Sequence, residues 1–199
     1  MTKRKLLALG AMALAAVALA APAAAQAELQ LYTDGSPAPA GTLLHGHGEL
    51  STTMGAFRSG PCEVTIEGET VSATTMEVAF EAFFPCETAI PGCEVTKWTD
   101  TSPWTAHLET PDVVNITNVT WANTSNDGCT GIGLPPGVPI PASGNLTGTA
   151  TTDGCIDFNS AGDMTREGSN PPVPFTVDGE ICLTDVEDPS QPITFEPLP

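Results

Sequence analysis

Apolar residues recur at every second position along much of this chain, and that alternation predicts strands. Over residues 75–84, Met76, Val78, Phe80, Ala82 and Phe84 fall on one face, with Thr75, Glu77 and Glu81 on the other. This is the pattern of a half-buried strand. Just upstream, Cys62, Val64 and Ile66 alternate with Glu63, Thr65 and Glu67, and Gly68 follows where a turn is wanted, so residues 62–84 read as a β-hairpin. Trp104, Ala106 and Leu108 alternate with Thr105, His107 and Glu109. Phe175, Val177, Gly179, Ile181 and Leu183 alternate with Thr176, Asp178, Glu180, Cys182 and Thr184. In "VVNITNVTW" the apolar phase passes from Val114 and Ile116 to Val119 and Trp121. A one-residue slip inside a continuous strand predicts a β-bulge.

Pro and Gly clusters separate these runs: "DGSPAPAG" at 34–41, "GIGLPPGVPIP" at 131–141 and "SNPPVP" at 169–174. They read as loops, because Pro removes ladder donors and Gly permits turn conformations. Strand-like patterns continue on both sides of the second cluster, so it is a loop within one domain. Many short strands with turn signals between them, and almost no 3.6-residue period, predict an all-β fold, an antiparallel sandwich or barrel. The tail "DPSQPITFEPLP" reads as an edge strand or as disordered.

The first 27 residues follow another rule. Lys3, Arg4 and Lys5 precede an apolar run over 6–21, and Ala25-Gln26-Ala27 ends the segment. This predicts a secretory signal cleaved before Glu28. The apolar run falls short of the roughly 20 residues that span a bilayer, and nothing downstream is long and apolar enough to cross one. Residues 28–199 are therefore expected as a single β-rich domain in the cell envelope or extracellular space, long enough to bury a core.

Removal of the signal takes away three of the six basic side chains and leaves Arg58, Lys97 and Arg166 against 24 acidic residues, a formal charge of −21. Such a surface repels phosphate backbones and offers no basic patch, so nucleic acid is excluded as a partner. Cations and basic partners fit the charge. Seven Phe, three Trp and one Tyr make a core thin in aromatics. Six cysteines, an even number in an exported chain, offset that weakness as a disulfide framework. Cys86 and Cys93 enclose the short loop "ETAIPG" and are expected to pair. Cys155 and Cys182 are both out of phase with the apolar residues of their strands and are expected to face each other across neighbouring strands. Elimination pairs Cys62 with Cys129.

Signal, Thr- and Gly-rich strands around spaced cysteines, then "SPWTAHLE" and "GNLTGTATTDGC" give a layout that resembles small exported, cysteine-stapled β proteins of actinobacterial type with no assigned function. The resemblance implies envelope localisation and carries over no catalytic residue.

Candidate chemistry centres on "LLHGHGEL" at 43–50. On a strand, His45, His47 and Glu49 project from one face, and two imidazoles with a carboxylate at this spacing are ligands for zinc or copper. A metal site needs a further ligand from another strand, and His107 is the one histidine left to supply it. The segment "DFNSAGDMTREG" places Asp157, Asn159 and Gly162 at the first, third and sixth positions of a calcium loop, but Ala161 stands at the fifth and Gly168 where a bidentate glutamate belongs. It reads better as an acidic hairpin loop. No Gly-x-Ser-x-Gly elbow and no phosphate-cradling glycine loop is present, and oxidised cysteines are not nucleophiles. A glycosidase carboxylate pair is recognised by geometry and stays open at this point. Asn115, Asn118, Asn123 and Asn145 head Asn-x-Ser/Thr sequons, which in a glycosylating host mark exposed positions but in so Thr-rich a chain read better as coincidence. Trp98, Trp104 and Trp121 form either a carbohydrate platform or, by the phases of Trp104 and Trp121, part of the core.

These readings converge on an exported, non-enzymatic β domain that serves as a structural or binding module. The rival is a metal-binding protein or metal-dependent enzyme using His45, His47 and Glu49, with His107.

Overall fold

The structure is a computed structural model that describes residues 29–55, 57–82, 85–100, 103–109, 111–132, 134–159, 164–186 and 193–197. The expected signal segment lies outside the described residues. Among the described residues, fourteen strands run in chain order: β1 (Leu29–Thr33), β2 (Ser36–Pro37), β3 (Leu43–Met54), β4 (Phe57–Ser72), β5 (Thr75–Ala82), β6 (Cys86–Glu87), β7 (Glu94–Asp100), β8 (Trp104–Glu109), β9 (Val113–Ser125), β10 (Ile140–Ala150), β11 (Cys155–Asn159), β12 (Met164–Arg166), β13 (Pro174–Asp185) and β14 (Thr194–Pro197). A short 3₁₀ helix, Asp127–Ile132, follows β9. No helix among the described residues is long and apolar enough to cross a membrane.

The strands close into an eight-stranded antiparallel barrel. Around the wall, β3 pairs with β4, β4 with β5, β5 with β8, β8 with β9 and β9 with β10, and β13 returns to β3. Between β10 and β13 one lane is shared by two strands. β11 pairs with Thr149–Ala150 of β10 at one end, and β12 pairs with Ala142–Ser143 at the other. The described residues of the expected calcium-loop or hairpin-loop segment are therefore mostly strand. Asp157 and Asn159 lie on β11, hydrogen-bonded along β13, and Gly162 falls outside the described residues.

The inward phase of each strand fills the barrel, as in the alternation of Cys62, Val64 and Ile66 on β4 or Phe175, Val177, Ile181 and Leu183 on β13, all buried. The Gly68 turn is a correction: β4 runs through Gly68, and the hairpin turns at Ala73–Thr74. A Cβ on Gly68 would stand 2.7 Å from the Glu77 carbonyl oxygen, so this glycine serves close strand approach and not a turn. The predicted bulge is present on β9. Val119 opposes Gly144 and Ile116 opposes Leu146, and between them Asn118 adopts φ 57°.

Each barrel end is covered differently. A three-stranded sheet, β14–β1–β2, caps the end where β4 turns into β5, with the Leu31 amide donating to the Ala73 carbonyl at 2.9 Å. Leu29, Leu31, Ile193 and Phe195 join the barrel core through this cap. Thr194–Pro197 of the tail thus form an edge strand. "DGSPAPAG" is partly strand too, because Asp34 and Gly35 both have positive φ and make the type I′ turn between β1 and β2. At the far end, β7 extends β9 outward and β6 pairs with β7.

Disulfides fasten that far end, and two expected pairs are corrected. Cys62 joins Cys86 and Cys93 joins Cys129, in place of Cys86–Cys93 and Cys62–Cys129. β6 lies against β4, with Ser59 bridging to Thr88, and this brings Cys86 to Cys62. Cys93 instead faces the 3₁₀ helix, where the Cys129 amide is held by the Asn126 carbonyl. Cys155 joins Cys182, its direct cross-strand partner.

Candidate functional site

The outer wall formed by β13, β3 and β4 holds the residues singled out in "LLHGHGEL". Leu44, Gly46, Gly48 and Leu50 follow the inward phase and leave His45, His47 and Glu49 exposed on the outside. Register then determines their neighbours. His45 stands opposite Thr184 and Glu67, His47 opposite Cys182 and Thr65, and Glu49 opposite Glu180 and Glu63. Asp157 on β11 stands opposite Glu180. Asp157, Glu180, Glu49 and Glu63 therefore form a row of exposed carboxylates across four adjacent strands. Like charges directly opposite cost stability, so this row is carried against the interest of the sheet. His47 Nε2 lies 3.6 Å from Glu63 Oε1, with both side chains 57% exposed, a weak pair in solvent.

His107 is not brought to this face. It lies on β8 opposite Thr75, and β4 and β5 separate it from β3. Nor do His45, His47 and Glu49 converge by themselves. Among the described residues, the group of three ligand atoms within 4.8 Å of one another is Cys155, Glu180 and Cys182, two of which are joined as a disulfide. A glycosidase pair needs an acid and a base in unlike surroundings. The row of carboxylates shares one exposed environment.

Two grooves run along this wall. The first, about 610 Å³, lies at the capped end and is lined by Leu43, Leu44, His45, Glu67, Asp185 and Val186, among others. Leu43 and Val186 are 48% and 45% exposed, and the Val186 amide donates to the Leu43 carbonyl at 3.2 Å, which holds the two together. The second groove, about 450 Å³, continues along the wall past His47, Glu49, Arg58, Glu180 and Cys182.

Trp104 and Trp121 belong to the interior, and Trp98 is partly buried against it. Trp98 and Trp121 ring centroids are 4.2 Å apart, and Trp121 packs at 5.8 Å against Phe175. Trp121 Nε1 donates to Asn123 Oδ1 at 2.6 Å, and Asn123 Nδ2 donates to Thr52 Oγ1 at 3.3 Å. Asn123 is 6% exposed and is thus a core residue, so its sequon marks no exposed position. Asn118 and Asn145 are exposed and Asn115 is half-buried.

No family model matches the chain, and neither the curated proteins nor the solved structures contain one similar to it. The wall of β13, β3 and β4 has to be read from its own chemistry.

Proposed function

We propose that this chain is an exported, non-enzymatic β-barrel module of the cell envelope or extracellular space, and that it binds a basic, partly apolar segment of a partner protein along the outer face of β13, β3 and β4. The observation that carries the reading is the first groove. Its apolar surface at Leu43 and Val186 is left open beside the carboxylates of Glu67 and Asp185. Open apolar surface with a charged rim suits a partner that offers an apolar side chain next to a cation. A formal charge of −18 for the whole chain draws basic partners from a distance. Packed side chains fill the barrel, so contacts are made on the wall.

Three disulfides support an oxidising compartment, as does the basic, apolar and small-residue order of the first 27 residues. Glu63, Glu67, Glu77 and Glu81 point outward from β4 and β5, the reverse of the apolar-out pattern of a lipid-facing barrel. The likeness to exported actinobacterial β proteins belongs to the same proposal.

The test titrates the exported protein with labelled extended peptides of alternating Lys and Leu, Glu and Leu, or Lys and Ser. The Lys-Leu peptide alone should bind, more weakly as salt rises, and Leu43→Ser with Val186→Ser should weaken it about tenfold or more. Equal binding of the Glu-Leu peptide, or no effect of the double substitution, would sink the reading.

A further inference from the structure

The three disulfides are not equivalent. Cys62, Cys86, Cys93 and Cys129 are all buried in the core. In Cys155–Cys182 one half, Cys155, is buried as well, but Cys182 is partly exposed on the outer wall and lines the second groove. A reductant in solvent reaches this sulfur first, because thiol–disulfide exchange depends on access.

Around that bridge stand further metal-binding side chains. Glu180 lies two residues before Cys182 on the same outward phase of β13, and its Oε1 is 3.8 Å from Cys182 Sγ. One ligand atom from each of Cys155, Glu180 and Cys182 lies within 4.8 Å of the other two. On the other side of β13, His47 is the direct cross-strand partner of Cys182, which puts their Cβ atoms roughly 5 Å apart. Among the described residues, the His47 imidazole is engaged only with Glu63 on the exposed surface, a contact weak enough to exchange.

We propose that reduction of Cys155–Cys182 unmasks a site for a zinc-class divalent cation, held by the two cysteine sulfurs, a Glu180 carboxylate oxygen and the His47 imidazole. The reductant is a dithiol. One of its thiolates attacks a sulfur of the bridge and breaks the S–S bond, and its second thiol resolves the mixed disulfide. The dithiol leaves as its own disulfide, having given up two electrons and two protons to Cys155 and Cys182. Cation binding then displaces both thiol protons to solvent. Tetrahedral zinc with Zn–S near 2.3 Å holds two sulfurs about 3.8 Å apart. The β11–β13 ladder, paired from Cys155–Cys182 through Asn159–Asp178, keeps the backbone in place while the side chains open. In the oxidised protein the sulfurs carry no thiolate and the site is closed, which makes it a redox-gated site.

The experiment uses the full exported chain, oxidised or treated anaerobically with one equivalent of dithiothreitol, and Co²⁺ as the spectroscopic probe. Mass spectrometry of alkylated peptides should show Cys155 and Cys182 opened first, with the other two bridges intact. The reduced protein should bind one Co²⁺ with a thiolate charge-transfer band that Zn²⁺ abolishes, and the oxidised protein should show no band. Glu180→Gln and His47→Ala, both at exposed positions that leave the fold in place, should each weaken Co²⁺ binding about tenfold or more. Opening of another bridge first, absence of the band after reduction, or wild-type affinity in both variants would overturn the proposal.

Discussion

The backbone amide of Asn118, a residue at φ 57°, donates to the side-chain oxygen of Asn145 at 3.2 Å across the β9–β10 bulge. This contact lies where the apolar phase of β9 changes, between Ile116 and Val119. Asparagine tolerates the left-handed conformation through local hydrogen bonds of its short side chain and alanine does not, so Asn118→Ala should destabilise the fold by about 1–2 kcal/mol, and Asn118→Gly, with no Cβ to penalise, by less. Urea unfolding of the two variants checks the order.

Two glycines of β3 should respond very differently to the same substitution. A Cβ on Gly46 would meet the flexible end of Leu183 at 2.9 Å, whereas on Gly48 it would meet the Glu180 carbonyl oxygen at 2.0 Å. Gly46→Ala is an overpacking change of about 1–3 kcal/mol. Gly48→Ala forces β3 and β13 apart at the seam that closes the barrel and should cost more than about 4 kcal/mol. Thermal unfolding of both variants decides this, and equal losses would contradict it.

Asn123 should prove a core residue in its behaviour. Asn123→Leu strands the Trp121 indole N–H and leaves Thr52 with Ser59 alone, at 2.6 Å. A loss of about 2–4 kcal/mol is expected, measured by urea unfolding with Trp fluorescence.

Non-reducing peptide mapping should recover Cys62 linked to Cys86 and Cys93 linked to Cys129. Replacing Cys93 and Cys129 together by Ser opens a loop of 36 residues in sequence separation, for which the chain-entropy account predicts a loss of about 4 kcal/mol. A Cys86–Cys93 fragment in the map would refute the pairing.

Asp153 gives the pH prediction. A hydrogen bond from the Thr151 side chain, and then its own backbone amide, hold this exposed carboxyl below the usual carboxylate range. A lowered folded-state value contributes stability that is present above the unfolded value and lost as pH falls through the folded one. Thr151→Val should raise the Asp153 titration midpoint toward the ordinary range, near pH 4, as followed by NMR.

Alternation made most of the barrel wall legible, because each inward apolar residue reports its own strand locally. The outward placement of His45, His47 and Glu49 was legible for the same reason. What the sequence left unread depends on pairings between distant segments. Gly68 passed for a turn residue because close approach to Glu77 and a turn call for the same missing Cβ. Cys86 and Cys93 looked like partners because they are near in sequence, yet β6 leans on β4 and β7 on β9, which sends them to different partners. His107 and His47 share an outward phase, but strand order places β4 and β5 between them. The meeting of Glu180, Cys182 and His47 was half-visible: Glu180 and Cys182 share a phase, and only the β13–β3 register adds the histidine. The Asp34-Gly35 pair was a hairpin signal that passed unread within a Pro-rich run.

The seam between β3 and β13 has a consequence for how the molecule is made. Leu44–Met54 pairs with Phe175–Asp185, and the cap joins Leu29–Tyr32 to Thr194–Pro197. Such contacts give a high contact order, and folding slows as loop closure precedes the contacts that reward it. During synthesis β3 is an open edge until β13 emerges, and the capped end stays uncovered until β14 does. The hairpins of the wall form from neighbouring segments, but β14 alone completes the environment of β1 among the described strands.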